Sequence, residues 1–222
     1  MEEYRIAISE LMAKDYKYVD NHIDSMTINH YPWDANGYKP NAECRVVCCA
    51  DGLKVRMEAS EKEITATYSE MNDPVYKDSC LEFFVSPFQD NPDYYFNFEL
   101  NPLGTLLLGR GSKQLGRERI NIENFKEYFQ IKSEKHKGKG DITHWLVEFT
   151  IPYQLLKEHQ SEETGVIGQR MRGNFYKCGD ETKYPHYGCW SRIDIHSPKF
   201  HSPQFFGNLV LPEGFIYAYN RS

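Results

Sequence analysis

The run Tyr94-Tyr-Phe-Asn-Phe-Glu-Leu100 constrains the fold more than any other stretch of the chain. Tyr94, Phe96, Phe98 and Leu100 fall on one side of an extended backbone, and Tyr95, Asn97 and Glu99 on the other. A period of two residues is the mark of a strand whose two faces meet different surroundings. The period recurs upstream. Leu53, Val55 and Met57 alternate with Lys54, Arg56 and Glu58, after a first strand over residues 45–50 and a two-residue Asp51-Gly52 loop. That is the pattern of a hairpin with one wet face. Residues 81–85, 105–108, 129–132, 145–151, 171–176 and 206–211 read as further strands, with 64–68 as an extension of the series. The first of these is expected to stop at Ser86-Pro87. The polar run 133–141 reads as a solvated hairpin loop. Only residues 152–158 read as a helix, with Pro152 in a permitted first-turn position. Many short strands, one or two short helices and no internal repeat predict an all-β fold. Its architecture is an antiparallel β-sandwich of immunoglobulin or jelly-roll character, in a single domain. Residues 1–43 carry little periodicity and are expected to form an N-terminal arm packed on a sandwich built from residues 44–222.

Composition narrows the function classes. With 40% apolar and 14% aromatic residues the chain is not disordered. A net charge of −6 is the opposite of a nucleic-acid footprint, so no nucleic-acid partner is expected. Unbroken apolar stretches reach only about five residues against the roughly 20 of a spanning helix, so no membrane partner is expected either. The six cysteines include the adjacent Cys48 and Cys49, which point to opposite faces of a strand and suit buried thiols better than a disulfide framework. The chain opens Met-Glu-Glu-Tyr-Arg, without a cationic start and apolar core, which favours a cytoplasmic location.

Several motifs invite chemistry and lack its requirements. The segment Gly109-Arg-Gly-Ser-Lys-Gln-Leu-Gly116 has neither the Gly-Lys-Ser/Thr ending nor the dinucleotide spacing of a phosphate cradle, and reads as a flexible loop. Cys178, His186, Cys189, His196 and His201 lie close in sequence, but the two cysteines do not show the Cys-x₂₋₄-Cys spacing of a structural zinc site. No metal and no cofactor are therefore expected. Calcium stays open without a motif to support it, because its oxygen ligands leave weaker traces. Glu82, Glu99 and Glu148 fall in strands, and glycosidase chemistry needs two carboxylates about 5 to 9.5 Å apart across the scissile bond. Outward Glu on a half-wet strand is the commoner case, so no catalytic residue is assigned.

The aromatic surplus, 16 Tyr and 13 Phe, is more informative. A sugar ring offers a flat C–H face and a rim of hydroxyls. Sites for it therefore combine an aromatic platform with polar groups that the wrong sugar would leave unpaired. Two segments place an aromatic in a loop beside polar strand residues: Tyr76 leading into Glu82, and Phe200 with His201 leading into Phe206-Gly207.

These segments also carry a resemblance. Val75-Tyr-Lys-Asp-Ser-Cys-Leu-Glu-Phe-Phe-Val85 resembles the "W-x-x-D-x-V-E-[IL]-F" stretch of carbohydrate-binding module family 9 and its DOMON-like relatives. Residues 94–105 resemble its "Y-Y-x-F-x-x-N-x-x-G" strand and turn, 145–152 its "W-x-x-E-x-x-I-P", and 172–177 its "R-x-N-F-Y-R". Trp190-Ser-Arg, followed by residues 200–209, is similar to "W-S … F-H-x-P-x-x-F-G-x-L". The resemblance implies a sandwich that binds saccharides without cleaving them. It places Tyr76 and Phe200 at two clamp positions and Glu82 at a ligand-contacting glutamate. Asn97 is added from strand geometry and His201 from its place beside Phe200. Tyr and Phe stand where the family has tryptophans, so the stacking area is smaller, and Asp78 stands one position before the family aspartate, where this chain has Ser79. Two alternatives accompany this reading. One is a non-covalent haem-binding domain drawing on Met71, Lys77 or His201. The other is a scaffold of the same fold without a ligand.

Overall fold

A computed structural model describes residues 1–8, 23–113, 115–161 and 167–213. Fourteen strands, numbered along the chain, make two sheets among these residues. The larger sheet runs β1 (Glu3–Arg5), β14 (Gly207–Val210), β12 (Ile167–Cys178), β6 (Cys80–Phe88), β7 (Tyr95–Leu100), β8 (Leu106–Ser112) and β9 (Gly116–Arg119), with β13 (Tyr187–Cys189) also on β12. The smaller runs β10 (Lys132–Lys137), β11 (Thr143–Pro152), β5 (Gly52–Glu61), β4 (Asn41–Cys48) and β2 (Ala7–Ile8), with β3 (Met26–Thr27) on β4. Pairing is antiparallel except β1 with β14 and β2 with β4. No described helix is long and apolar enough to cross a membrane.

The inward faces are those the alternation marks. Phe96, Phe98 and Leu100 of β7 join Leu81, Phe83 and Val85 of β6 and meet Val55, Met57, Val147 and Phe149 of the smaller sheet. Phe83 and Phe175 stack at 4.3 Å, and Phe98 reaches Phe149 across the sandwich at 5.7 Å. Each such ring contributes about 1.5–3 kcal/mol by leaving water. One polar link crosses this layer. Lys177 of β12 and Glu61 of β5, both fully buried, pair at 3.1 Å, and Glu61 also accepts Trp145 Nε1–H at 2.7 Å and Ser79 Oγ–H at 3.1 Å. A buried carboxylate is tolerable when its lone pairs are filled in this way. The helix Tyr153–Lys157 follows Pro152 as expected and buries Tyr153, Leu155 and Leu156.

Several elements differ from the sequence expectation. β6 continues through Ser86-Pro87 to Phe88. The partner strand bulges there, with Arg172 opposite Ser86 and Ile167 opposite Phe88, and a proline that donates no hydrogen bond fits at a bulge. The glycine-rich segment is not a loop throughout: Gly109–Ser112 belong to β8 and Gly116–Arg119 to β9, a hairpin. Residues 132–137 form β10 instead of a loop, with 129–131 outside it, and residues 64–68 are not a strand. The segment before Cys44 contributes β1 to one sheet and β2 and β3 to the other, and β4 itself starts at Asn41. All six cysteines are free and buried, with Cys48 in the inter-sheet core and Cys49 in a separate small cluster.

A second apolar cluster lies on the outer face of the larger sheet. Phe84, Tyr95 and Tyr176 are covered there by Ile193 and Phe206, with Trp33 and Phe200 at its margin. This cover leaves part of the outer face open.

Candidate functional site

Period-two geometry sets what that outer face presents: Cys80, Glu82 and Phe84 from β6, Tyr95, Asn97 and Glu99 from β7, and Tyr176 and Cys178 from β12. Gly109 and Arg119 add to it from β8 and β9, standing opposite one another. Two segments rise as walls. On one side Phe200 stacks on Tyr176 with centroids 4.1 Å apart and planes at 11°, while the Tyr176 hydroxyl donates to the Phe200 carbonyl at 3.1 Å. Trp33 braces the same ring at 5.9 Å and donates its Nε1–H to the Ile195 carbonyl at 2.8 Å. On the other side a 3₁₀ turn, Val75–Lys77, carries Tyr76, whose carbonyl accepts the Asp180 N–H at 3.0 Å. Asp78 anchors that turn: its buried Oδ2 accepts Thr67 N–H, Tyr68 N–H and an Asn101 amide hydrogen at 2.9, 3.1 and 2.9 Å. Between the walls lies a cleft of about 600 Å³, bordered by Tyr76, Tyr187 and Phe200 and floored by Glu82 and Glu99.

The floor is polar, buried and mostly neutral. Burial pushes the Glu82 carboxyl well above the carboxylate range, with Cys178 and Glu99 beside it adding to the rise. Its Oε1 accepts the Cys178 S–H at 3.0 Å. Burial also lifts Glu99, directly opposite Glu82 on the next strand, to about 7, against the pull of Arg119 and a 2.8 Å hydrogen bond from Asn97. Asp180 at the rim rises to about 6, again mainly by burial, with Glu181 beside it. His201 is driven down to about 4 by burial and by Arg117, Arg119 and Lys199, so its ring is neutral. Its Nδ1 lies 2.7 Å from the Tyr95 hydroxyl. Arg117 lies over the Tyr95 ring at 3.9 Å and bonds Asn97 Oδ1 and the Gly111 carbonyl. Gly109 makes this floor possible. A β-carbon there would stand 2.6 Å from Asn97 Oδ1 and 3.2 Å from Arg119 Nη1.

Of the residues singled out from sequence, Tyr76, Phe200, Glu82 and His201 all border this cleft. Asn97 is placed differently. It is 1% exposed and both ends of its amide are used, by Glu99 and by Arg117, so it supports the floor from beneath. Glu148 is on the smaller sheet, bonded to Arg56 at 2.7 Å, and does not join Glu82 and Glu99. The residues considered as haem ligands do not form an axial pair around this cleft. Met71 packs on the inter-sheet core and its sulfur accepts the Ile122 N–H at 3.2 Å, while Lys77 pairs with Glu181 at 2.8 Å. Arg119, Asp180 and Tyr187 border the cleft without being singled out from sequence, and Cys178, weighed there only as a zinc ligand, borders it too. Only Arg119 had a local signal, the alternation Arg117-Glu-Arg119 after a glycine.

An antiparallel sandwich with one aromatic-walled, polar-floored cleft on a sheet face defines a class of small-ligand binding modules. The chain belongs to carbohydrate-binding family 9, whose family model matches residues 13–211. A crystal structure of a presumed carbohydrate-binding protein from Bacteroides uniformis is similar over 95% of this chain and 99% of its own, with 28% identity and a TM-score of 0.79. A family 9 module of Caldicellulosiruptor kristjanssonii has the same fold at 10% identity in two structures. The complex with cellotriose gives a TM-score of 0.56 over 95% of this chain and 93% of that one. The complex with glucose gives 0.58 over 95% and 96%. No curated protein matches the chain.

Proposed function

We propose that the cleft holds a mono- or oligosaccharide end and does not cleave it. The observation that carries this reading is the Phe200 ring, stacked on Tyr176 at the edge of a cleft that buried Glu82 and Glu99 also line. Phe200 and Tyr76 offer flat faces to the sugar's C–H surface, and Glu82, Glu99 and His201 address its hydroxyls. Neutral carboxyls donate as well as accept, which suits a rim of hydroxyl groups. Asn97 serves as a positioning residue that holds Glu99 and Arg117. The non-catalytic reading is supported by the match to a carbohydrate-binding family and not by the protonation of Glu82, since a glycosidase's general acid is protonated too. The saccharides bound by the Caldicellulosiruptor module, glucose and cellotriose, open the test panel.

Calorimetric titration with glucose, cello-oligosaccharides, xylose, galactose and a uronic acid is expected to give saturable heat with at least one of them. Phe200→Ala is expected to weaken that binding by about tenfold or more, equivalent to about 1.4 kcal/mol, and Tyr76→Ala with Phe200→Ala to abolish it. Unchanged affinity in the double variant refutes the site. Release of reducing ends from labelled oligosaccharides refutes the non-catalytic reading.

A further inference from the structure

Strand register creates a cluster of which the saccharide reading uses only Glu82. Cys80 on β6 stands directly opposite Cys178 on β12, and Glu82 follows two residues along β6 on the same face. One ligand atom from each of the three lies within 4.8 Å of the other two, the one such trio of His, Cys, Asp or Glu residues among the described residues. All three are buried, and Cys178 and Glu82 reach the cleft.

We infer that Cys80, Cys178 and Glu82 form a metal site for a thiophilic ion of the zinc class. Thiolate ligands at about 2.3 Å and a carboxylate oxygen at about 2.0–2.2 Å from a tetrahedral ion lie roughly 3.5–4 Å apart, within the 4.8 Å that encloses the three ligand atoms here. Two sulfurs and one carboxylate select zinc, cobalt or cadmium over calcium and magnesium, whose ligands are oxygens. Three protein ligands leave a fourth position open, and Cys178, Glu82 and Asp180 all border the cleft. The ion is held by two thiolates and one carboxylate, and any proton those groups carry leaves when it binds. With a divalent ion, two thiolates and one carboxylate leave the site a net charge of −1.

The test is cobalt(II) titration of the full chain, reduced and stripped with chelator. One equivalent per chain is expected, with the visible bands of a tetrahedral ion and a sulfur-to-cobalt charge-transfer band in the near ultraviolet, both displaced by zinc. Cys80→Ser and Cys178→Ser are each expected to lose about half of the charge-transfer intensity, and the double variant all of it. Glu82→Gln keeps the sulfur band with at least tenfold weaker binding. Should the serine variants unfold, peptide mapping of the wild type takes their place. Zinc is expected to protect Cys80 and Cys178, and not Cys49, from alkylation. No sulfur band in the wild type, a band that survives in the double variant, or equal alkylation with and without zinc overturns the site. A Cys80–Cys178 disulfide that, once reduced, gives a chain with no cobalt band overturns it too. The outcome is independent of the saccharide reading, since a chain that binds no sugar still gives or withholds the cobalt spectrum.

Discussion

Glu99→Gln isolates the cost of the cleft floor. The Glu99 carboxyl is 4% exposed and titrates near 7 in place of its ordinary 4.5, with burial as the main cause. Below about pH 4.5 the group is protonated in both folded and unfolded chains and contributes nothing to the pH dependence. Between 4.5 and 7 the unfolded chain releases its proton while the folded chain keeps it, so stability falls as pH rises, by about 1.4 kcal/mol per pH unit. Above 7 both forms are ionised and the loss stands at about 3 kcal/mol. Glutamine removes the ionisation and keeps an oxygen to accept the 2.8 Å hydrogen bond from Asn97. The variant is therefore expected to equal or slightly trail the wild type at pH 4.5, and to exceed it by about 3 kcal/mol at pH 8.5. For a domain of this size that is roughly 6–12 °C in Tm. Chemical and thermal denaturation of both chains across pH 4.5–8.5 reads this directly. Parallel stability curves for the two chains would falsify the assignment of Glu99 as a buried, proton-retaining group.

Lys177→Met is expected to cost about 3–5 kcal/mol in urea denaturation, because it strands the Glu61 carboxylate between the sheets with only neutral donors, and the further change Glu61→Gln is expected to recover part of that loss. A Lys177→Met chain as stable as the wild type would show the pair to be dispensable. Gly109→Ala puts a methyl group against Asn97 and Arg119, so it is expected to lower stability by about 1–3 kcal/mol and to weaken saccharide binding through the displaced floor, both measurable on one purified variant. Asp78→Ala removes one acceptor from three donors and is expected to cost about 2–4 kcal/mol and to loosen the turn that carries Tyr76, read by hydrogen exchange at Thr67 and Tyr68.

What the sequence reveals about this protein follows the range of the interaction involved. β7 is legible residue by residue because each side chain's burial is decided by its own strand: Phe96 and Phe98 go inward, Asn97 and Glu99 outward. β1, β2 and β3 are only two or three residues long, too short to show any period, and so they read as an arm although they extend both sheets. The glycines of 109–116 read as flexibility. At Gly109 the small residue instead clears the floor for Asn97 and Arg119, and at Gly111 and Gly116 the backbone takes positive φ, +125° and +80°, to turn the hairpin.

The cleft itself sits at the limit of such reading. Tyr76, Glu82 and Phe200 stand out because their segments carry local chemistry, an aromatic beside polar strand residues. Asn97 faces outward as alternation requires, yet whether an outward side chain meets ligand or lies under it depends on neighbours from β8 and β9, which no single strand encodes. The thiols show the same limit more sharply. A search for metal ligands by spacing along the chain pairs Cys178 with its sequence neighbours and finds nothing, while the register of β6 against β12 sets its sulfur 3.0 Å from a carboxylate 96 residues away. Linear spacing is a guide only where a turn or a helix brings the ligands together. Where two strands do so, the information lies in the pairing, and the pairing is fixed by the whole sandwich: a one-residue slip of β12 would turn Cys178 inward, bring Lys177 out and undo both the cluster and the buried ion pair at once.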